Sequence, residues 1–316
     1  MEPTLLLEGV SKRYSGHTAV DNLSLTVPRG TIYGILGPNG AGKSTTPRMV
    51  MNILIRDSGR ISLLGADPER DRSVLRRVGF LPEERGLYKN MGVIDVIVFF
   101  AQLKGVDAAS ARREGLAWLD RMSLGDWKSA KVETLSKGMQ QKVQFITTVI
   151  HKPELLILDE PQSGLDPVNQ EVLRDTILQH RKDGNTVIFS THNMDQAEQL
   201  CEHVCIIAQG QKVLDGRLRD IQRENRGKAY RVSFEDDTPA VESFMSAARF
   251  GAAERVGDGW LLDASAAEPR ALVSALNELD TPLARFERAQ PSLHEIFVSR
   301  VADAAQTRRR PEAAHV

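Results

Sequence analysis

The sequence lacks the features of a secreted or a membrane-embedded chain. Its 316 residues include only two cysteines, Cys201 and Cys205, which are too few for a disulfide scaffold. We interpret both as buried structural thiols, because a CxxxC pair is a poor metal site. The longest apolar run, residues 96–101, is far shorter than the roughly 20 residues that a membrane-spanning helix needs. No positive leader followed by a long apolar core is visible, so we expect a cytoplasmic protein.

The charge of the chain is nearly balanced. Its formal net charge is -1, with hydrophobic residues at 41% and charged residues at 26%. This composition is ordinary for a globular protein, and it gives no global basic field that would attract nucleic acid. We therefore expect no nucleic-acid partner.

Buried strands alternate with helices up to about residue 220. Three segments contain nearly continuous runs of apolar residues, as expected for parallel strands that are covered on both faces. They are residues 31–36, 155–161 and 186–191. A helical pattern over residues 168–182 lies between two of these strands. The sequence therefore predicts an α/β fold with a mainly parallel sheet and a smaller antiparallel portion near the N-terminus, whose strands are separated by Gly and Pro turns.

The pattern changes after a polar, charged stretch at residues 219–231. We place a first domain over residues 1–222 and a small α+β domain over residues 228–302. The last helix of the small domain is predicted to begin at a capping box, with Ser292 as the cap and Glu295 three residues on. Residues 303–316 are predicted to be a disordered tail.

A glycine-rich loop follows the predicted strand at residues 31–36. It fits the pattern GxxxxGK followed by Ser or Thr, and the preceding strand is the context in which this pattern binds phosphate. The glycines let successive backbone N–H groups point at an anion. Lys43 brings a positive charge to the β- and γ-phosphates, and the Ser44 hydroxyl is a ligand for Mg²⁺. We predict that the nucleotide contacts Gly37, Pro38, Asn39, Gly40, Ala41, Gly42, Lys43, Ser44 and Thr45.

Two acidic residues follow the apolar residues 155–158. Asp159 ends the predicted strand, where its carboxylate can hold the hydration shell of Mg²⁺. Glu160 lies one position further out, where it can orient or deprotonate an attacking water. Adjacent acids at a strand end are often only solubilising, but here they accompany a phosphate loop. The two motifs together predict hydrolysis of a nucleoside triphosphate.

A third segment narrows the class of ATPase. The segment "TLSKGMQQKVQ" resembles the LSGGQ signature of ATP-binding cassette (ABC) ATPases, and it lies upstream of Asp159 as in that family. The signature positions are Ser136, Lys137, Gly138 and Met139. The resemblance extends over residues 4 to about 220 and implies the P-loop NTPase cassette fold, with a helical subdomain at about residues 90–150.

Three further positions fit the same family. Asp166 ends a segment that looks like the D-loop, His192 stands at the place of the switch histidine, and Tyr14 stands where an aromatic ring stacks on adenine. The resemblance implies that ATP and Mg²⁺ lie between two cassettes. One cassette lends the phosphate loop, the acids and the histidine, and the other lends its signature at a helix N-terminus. Since the chain has one copy of each motif, we expect a second cassette, in a homodimer.

The resemblance also implies a role for each catalytic residue. Glu160 would be the general base, His192 the sensor of the γ-phosphate and Lys43 a cation on the phosphates. Ser136, Gly138 and their neighbours in the signature would act in the other copy, and Asp166 would contact it across the interface.

Several positions depart from the family pattern. Lys137 and Met139 replace the usual Gly and Gln of the signature, and Glu83 stands where a Gln usually links the catalytic site to the membrane partner. A carboxylate can still bind Mg²⁺, so Glu83 joins Ser44 and Asp159 as a candidate metal ligand. The segment "PEERGLY" and the C-terminal "PSLHEIF" are similar to the sodium- and drug-exporting branch called ABC-2 type.

Pro47 stands where the family usually has an aliphatic residue. If the helix after the phosphate loop starts at Lys43, Pro47 removes the N–H that would bond to the Lys43 carbonyl, and its ring crowds that carbonyl. We therefore expect this helix to be kinked or shifted.

We considered three functions for this sequence. The favoured one is the ATPase subunit of an ABC exporter, bound to the cytoplasmic face of the membrane through a separately encoded membrane-spanning permease. A non-transport cassette acting on ribosomes or DNA usually carries a second cassette or a long coiled-coil insert, and neither is visible here. A module that binds ATP without turnover is disfavoured by the intact Lys43, Asp159, Glu160 and His192.

Overall fold

The chain folds into two compact units, Met1–Leu218 and Arg219–Val316. The structure is a computed structural model that describes residues 2–84, 86–247, 249, 251–264 and 268–308. The division falls at the start of the polar stretch where the sequence pattern changes. Among the described residues, none of the helices combines the length and the apolar character that a membrane span requires.

The first unit is built on a largely parallel sheet. Its strands are β1 (Leu5–Tyr14), β2 (His17–Val27), β3 (Ile32–Leu36), β4 (Ser58–Leu63), β5 (Val78–Leu81), β6 (Leu155–Asp159), β7 (Thr186–Thr191), β8 (His203–Ala208) and β9 (Gln211–Arg217). The larger sheet has the order β5-β6-β7-β3-β8-β9, parallel except for β9. Every residue of β3, β6 and β7 is buried, as expected for parallel strands covered on both faces. β1 pairs antiparallel with β2 and β4, so the predicted α/β fold with a small antiparallel portion is confirmed.

Helices connect these strands. They are α1 (Thr45–Val50), α2 (Val93–Leu103), α3 (Ala108–Arg121), α4 (Lys137–Val149), α5 (Pro167–Lys182) and α6 (Met194–Leu200). α2, α3 and α4 pack against one another and form a helical subdomain between β5 and β6. The α2–α3 contact is close because Gly115 has no side chain: a Cβ there would lie 3.0 Å from side-chain carbons of Ile94 and Ile97.

α1 begins at Thr45, two residues after the start at Lys43 for which we considered the effect of Pro47. Pro47 is therefore in the first turn, where it removes the N–H that would bond to the Lys43 carbonyl. The flanking N–H groups are bonded, since Thr46 N donates to Gly42 O at 3.1 Å and Arg48 N donates to Ser44 O at 3.4 Å. The helix continues past the buried proline, whose carbonyl accepts a hydrogen bond from Met51 N at 2.9 Å. The later start accommodates the proline ring without breaking the helix.

The second unit is a small α+β module. Its elements are α7 (Leu218–Glu224), which begins at the boundary, then β10 (Ala229–Phe234), α8 (Pro239–Ser246), β11 (Ala253–Val256), β12 (Gly259–Asp263), α9 (Pro269–Asn277), β13 (Leu283–Arg288) and α10 (Leu293–Arg308). The sheet order is β11-β12-β10-β13, and all neighbours are antiparallel. With α8 and α9 as crossovers, β10 to β13 follow the split βαβ arrangement. β11 is a strand that the sequence did not predict.

The last helix begins at the predicted capping box. Glu295 N donates to Ser292 Oγ at 3.2 Å, and Ser292 N donates to Glu295 Oε2 at 2.7 Å. α10 continues to Arg308, into the segment that we predicted to be a tail. Residues 309–316 of that prediction lie outside the described residues.

Candidate functional site

The candidate site lies at the carboxyl ends of three neighbouring parallel strands. β6, β7 and β3 are adjacent in that order, so their carboxyl ends meet at one edge of the sheet. The phosphate loop leaves β3 after Leu36, Asp159 ends β6 and Thr191 ends β7. Crevices at this edge are the usual ligand sites of open α/β sheets.

Neighbouring backbone determines the path of the phosphate loop. A Cβ on Gly37 would lie 2.1 Å from Ile207 O, and a Cβ on Gly42 would lie 2.4 Å from Ala19 O. Gly42 also has a φ of 101°, a conformation that only glycine adopts readily. Lys43 is 6% exposed, and its Nζ donates to Gly37 O at 2.8 Å and to Pro38 O at 3.1 Å. The Lys43 ammonium is therefore held against the loop whose N–H groups are expected to bind phosphate.

Asp159 is oriented by a residue of the adjacent strand. Asp159 is 1% exposed, and its Oδ1 accepts a hydrogen bond from the Ser190 hydroxyl at 2.6 Å. The other carboxylate oxygen, Oδ2, is buried and has no hydrogen-bond partner among the described residues. A buried anionic oxygen without a partner is unfavourable unless a cation or a donor satisfies it.

These residues fit a magnesium ion. Carboxylate and hydroxyl oxygens are ligands that Mg²⁺ prefers, and Mg²⁺ usually takes only one or two carboxylates and completes its shell with water and phosphate oxygens. Within the described part of the chain, no group of three or more His, Cys, Asp or Glu side chains is arranged to hold a metal ion by itself. Asp159 and Ser44 supply oxygens of these types, and Glu83 lines the same cavity as Ser44.

Glu160 and His192 form a hydrogen-bonded pair. Glu160 Oε1 accepts from the backbone N of His192 at 2.9 Å and lies 2.8 Å from Nδ1 of the same residue. Lys43 Nζ lies 3.9 Å from the same oxygen. Glu160 has a φ of 46°, and such strained backbone is typical of functional sites. The carboxylate is thus held between a cation and an imidazole at the strand ends.

Most of the residues predicted for the nucleotide site line one cavity of about 530 Å³. Those that line it are Tyr14, Asn39, Gly40, Gly42, Lys43, Ser44, Thr45, Glu83, Glu160 and His192. Asp159 is buried and does not line this cavity, and Gly37, Pro38 and Ala41 belong to the loop without lining it.

Three cavity residues were missed by the sequence reasoning. His17 and Ala19 lie on β2, shortly after Tyr14, and Ser163 follows Glu160 in the chain. Their closeness to the aromatic residue and to the acid pair was the available signal, but none of them belongs to a motif with a chemical requirement.

The signature residues and Asp166 do not line this cavity. Ser136 caps α4, and its Oγ accepts from Met139 N at 3.2 Å. Gly138 lies against residues 163–166, the segment that resembles the D-loop, since a Cβ there would be 2.8 Å from Gly164 O. Asp166 caps α5, accepting from Asn169 N at 3.1 Å, and its side chain remains 54% exposed. Lys137 is exposed beside Ser136.

A phosphate loop between a parallel strand and a helix, with an acid pair at the end of a neighbouring strand, defines a P-loop ATPase. The family model described as ABC transporter matches residues 20–163. The chain is 39% identical over 297 residues to the uncharacterized ABC transporter ATP-binding protein YhaQ of Bacillus subtilis, an alignment that covers 94% of this chain and 98% of that protein. The chain therefore belongs to the ABC transporter family of ATP-binding proteins, and it is an ATPase.

Two further comparisons agree with this assignment. The Nod factor export ATP-binding protein I of Ralstonia nicotianae is 32% identical over 302 residues, which cover 94% of this chain and 93% of that protein. A solved structure of the ATP binding subunit of an ABC transporter superimposes with a TM-score of 0.66 at 28% identity, covering 70% of this chain and 92% of the other.

Proposed function

We propose that this chain hydrolyses ATP for an ABC exporter and drives transport through a separately encoded membrane-spanning permease at the cytoplasmic face of the membrane. The observation that carries the proposal is where the motifs lie relative to the cavity. The phosphate loop, Glu160 and His192 border the cavity, whereas the signature of the same chain does not. A site of this kind is completed by a second copy. The relative named for Nod factor export supports the direction of transport.

Each side chain of the cavity has a chemical task in this proposal. Tyr14 stacks on the adenine, and the loop N–H groups with Lys43 bind the phosphates. Ser44 and Asp159 would hold Mg²⁺, which neutralises charge on the phosphate oxygens when it is bound. Glu160 orients and deprotonates the attacking water, because its hydrogen bonds to His192 fix the direction of its carboxylate. His192 contacts the γ-phosphate from the same side.

The second copy supplies the remaining contacts. Ser136 lies at the N-terminus of α4, where the helix dipole favours an anion, and the exposed Lys137 adds a positive charge. Gly138 and Met139 complete the signature loop, and Asp166 contacts the other copy beside it. ATP therefore joins two copies, and its hydrolysis releases them.

We assign the docking site of the membrane partner to a second cavity, which we name the α2 groove. Its volume is about 560 Å³, and its apolar walls include Ile53, Leu54, Phe80, Leu87 and Phe100. The loop at residues 82–84 connects the groove with the nucleotide cavity, since Pro82 and Glu84 line the groove and Glu83 lines the cavity. Gln144 of α4 holds this loop, with Nε2 donating to Glu84 O at 3.1 Å. A partner in the α2 groove would thus contact the loop that carries Glu83.

Disulfide cross-linking tests the pairing of two copies. Cys201 and Cys205 are 6% and 0% exposed, so cysteines introduced at Asn39 and Lys137 would react selectively. In a Glu160→Gln background, we expect a cross-linked dimer with ATP and Mg²⁺ and none without nucleotide.

The matched control pairs the cysteine at Asn39 with one at Arg60, an exposed residue of β4. Arg60 belongs to no predicted interface, so this pair should stay uncross-linked. If ATP never joins residues 39 and 137 of two copies, the proposed function loses its mechanism.

A further inference from the structure

The β1–β2 hairpin contributes three side chains to the nucleotide cavity, those of Tyr14, His17 and Ala19. Tyr14 presents an aromatic ring and Ala19 a methyl group, whereas His17 brings two ring nitrogens that can donate or accept hydrogen bonds. The proposed function assigns Tyr14 to the adenine and gives His17 no task. The position of His17 in the cavity indicates one.

A tight turn places His17 beside Tyr14. The two residues are direct partners across the hairpin, and only Ser15 and Gly16 lie between them in the chain. Gly16 has a φ of 78°, a conformation that glycine adopts without steric cost. The side chains of direct cross-strand partners share one face, with their Cβ atoms roughly 4.5–5.5 Å apart. The imidazole therefore lies next to the aromatic ring that is proposed to stack on adenine.

The start of β2 is also fixed against the phosphate loop. A Cβ on Gly42 would meet Ala19 O, so the loop and the strand are in direct backbone contact. His17 precedes Ala19 by two residues, and their side chains therefore project from the same face of the strand. His17 also lines a smaller cavity of about 400 Å³ together with Asn39 and Gly40 of the loop. The imidazole thus adjoins the phosphate loop as well as Tyr14.

These contacts place His17 at the sugar of the nucleotide. The ribose of ATP joins the adenine to the triphosphate, so a side chain that adjoins both the ring for the base and the loop for the phosphates is nearest the ribose. His17 is exposed, and its ring makes no hydrogen bond to any residue within the described part of the chain. Its nitrogens can therefore bond to a ligand.

We infer that the His17 imidazole forms a hydrogen bond with a ribose hydroxyl and makes this site select ATP over its deoxy forms. The inference rests on the proposed function, because it names the sugar that the ATPase prefers. One such hydrogen bond changes the affinity by about 3–10-fold. The ribose does not react, so the bond is equally strong in the ground state and the transition state and acts on KM rather than on kcat.

Sugar variants of ATP test the contact. The KM and kcat for ATP, 2′-deoxy-ATP and 3′-deoxy-ATP are measured with Mg²⁺ on the full chain and on His17→Ala. For the unaltered chain, we expect the KM for one of the deoxy forms to exceed that for ATP by about 3–10-fold at a similar kcat. In His17→Ala, the KM for ATP should rise by the same factor and the preference for ATP should vanish, because either change removes the same bond.

Two further variants separate this contact from a defect of the hairpin. Ser15→Ala changes the exposed neighbour in the same turn, which does not line the cavity, and it should keep the full preference for ATP. His17→Gln retains a polar side chain with an N–H donor and should keep part of the preference.

Two results would overturn the inference and leave the proposed function standing. One is an unaltered chain that hydrolyses ATP and both deoxy forms with equal KM. The other is a His17→Ala variant that keeps the full preference for ATP over the deoxy forms, which would remove His17 from the sugar. A chain that hydrolyses none of the three nucleotides would overturn the proposed function together with the inference.

Discussion

The Ser190 hydroxyl donates to Oδ1 of Asp159 at 2.6 Å, across two neighbouring strands. This hydrogen bond fixes the carboxylate and leaves Oδ2 as a buried oxygen without a partner among the described residues. Ser190 is therefore a positioning residue for the proposed magnesium ligand Asp159, although no sequence motif contains it. Groups that orient a metal ligand commonly contribute about 10–100-fold to metal affinity.

Ser190→Ala should weaken the response to magnesium. We expect the Mg²⁺ concentration for half-maximal ATPase activity to rise by roughly tenfold, with a similar loss in Mg²⁺-dependent ATP binding measured by calorimetry. Ser58→Ala, on the exposed end of β4, is the control and should behave like the unaltered chain. An unchanged Mg²⁺ requirement in Ser190→Ala would show that Asp159 does not need this hydrogen bond.

Glu160→Gln should slow hydrolysis by about 10²–10⁴-fold, the range expected when a general base is lost. The amide keeps the size of the side chain and can still contact His192, so ATP binding should persist. The ATP-bound dimer should therefore accumulate, which size-exclusion chromatography with ATP and Mg²⁺ would detect. Near-normal turnover would remove Glu160 from the role of the base.

The sequence locates those parts of the candidate site whose chemistry lies within one short segment. The phosphate loop and the Asp159–Glu160 pair are of this kind, because each follows directly from a strand and its turn. The Ser190–Asp159 contact joins residues 31 positions apart, and the α2 groove combines distant segments, so neither can be read from local spacing.

Two features of the fold that the sequence analysis did not predict have local physical causes. β11 is an edge strand with three exposed residues and one half-buried residue, and it therefore lacks the alternation that reveals a strand. The start of α1 at Thr45 was not predicted, and it places Pro47 in the first turn, where a proline is tolerated best.

Pro47→Ile should stabilise the first unit. Isoleucine restores an N–H that can bond to the Lys43 carbonyl and has a similar apolar character in this buried position. Since Pro47 lies in the first turn, we expect the free energy of unfolding to increase by no more than about 1 kcal/mol. This increase corresponds to a rise of roughly 2–4 °C in melting temperature. Pro167→Ala is the matched control, because a proline at the start of α5 is already favourable and its removal should give no rise. A lower melting temperature for Pro47→Ile would count against this account.

Acid should destabilise the first unit through two partly buried histidines. Burial lowers the pKa of His151 to about 4, with Lys104 adding repulsion, and burial lowers the pKa of His180 to about 4 although Asp183 opposes it. In the unfolded chain both rings return to their ordinary pKa of 6.5, so the unfolded state binds more protons between these values. The free energy of unfolding contributed by each ring is therefore fully present above about pH 6.5 and is lost as the pH falls towards 4.

Urea denaturation at pH 7.5, 6.5, 5.5 and 4.5 would measure this loss. Because both rings are partly exposed and solvent screens them, we expect only about 1–2 kcal/mol per histidine over the window. His151→Gln and His180→Gln should each flatten the pH dependence, since glutamine keeps polar atoms without a proton to bind. His17→Gln is the control, because His17 is exposed and its removal should leave the slope unchanged. Equal slopes in all four proteins would assign the acid sensitivity to other groups.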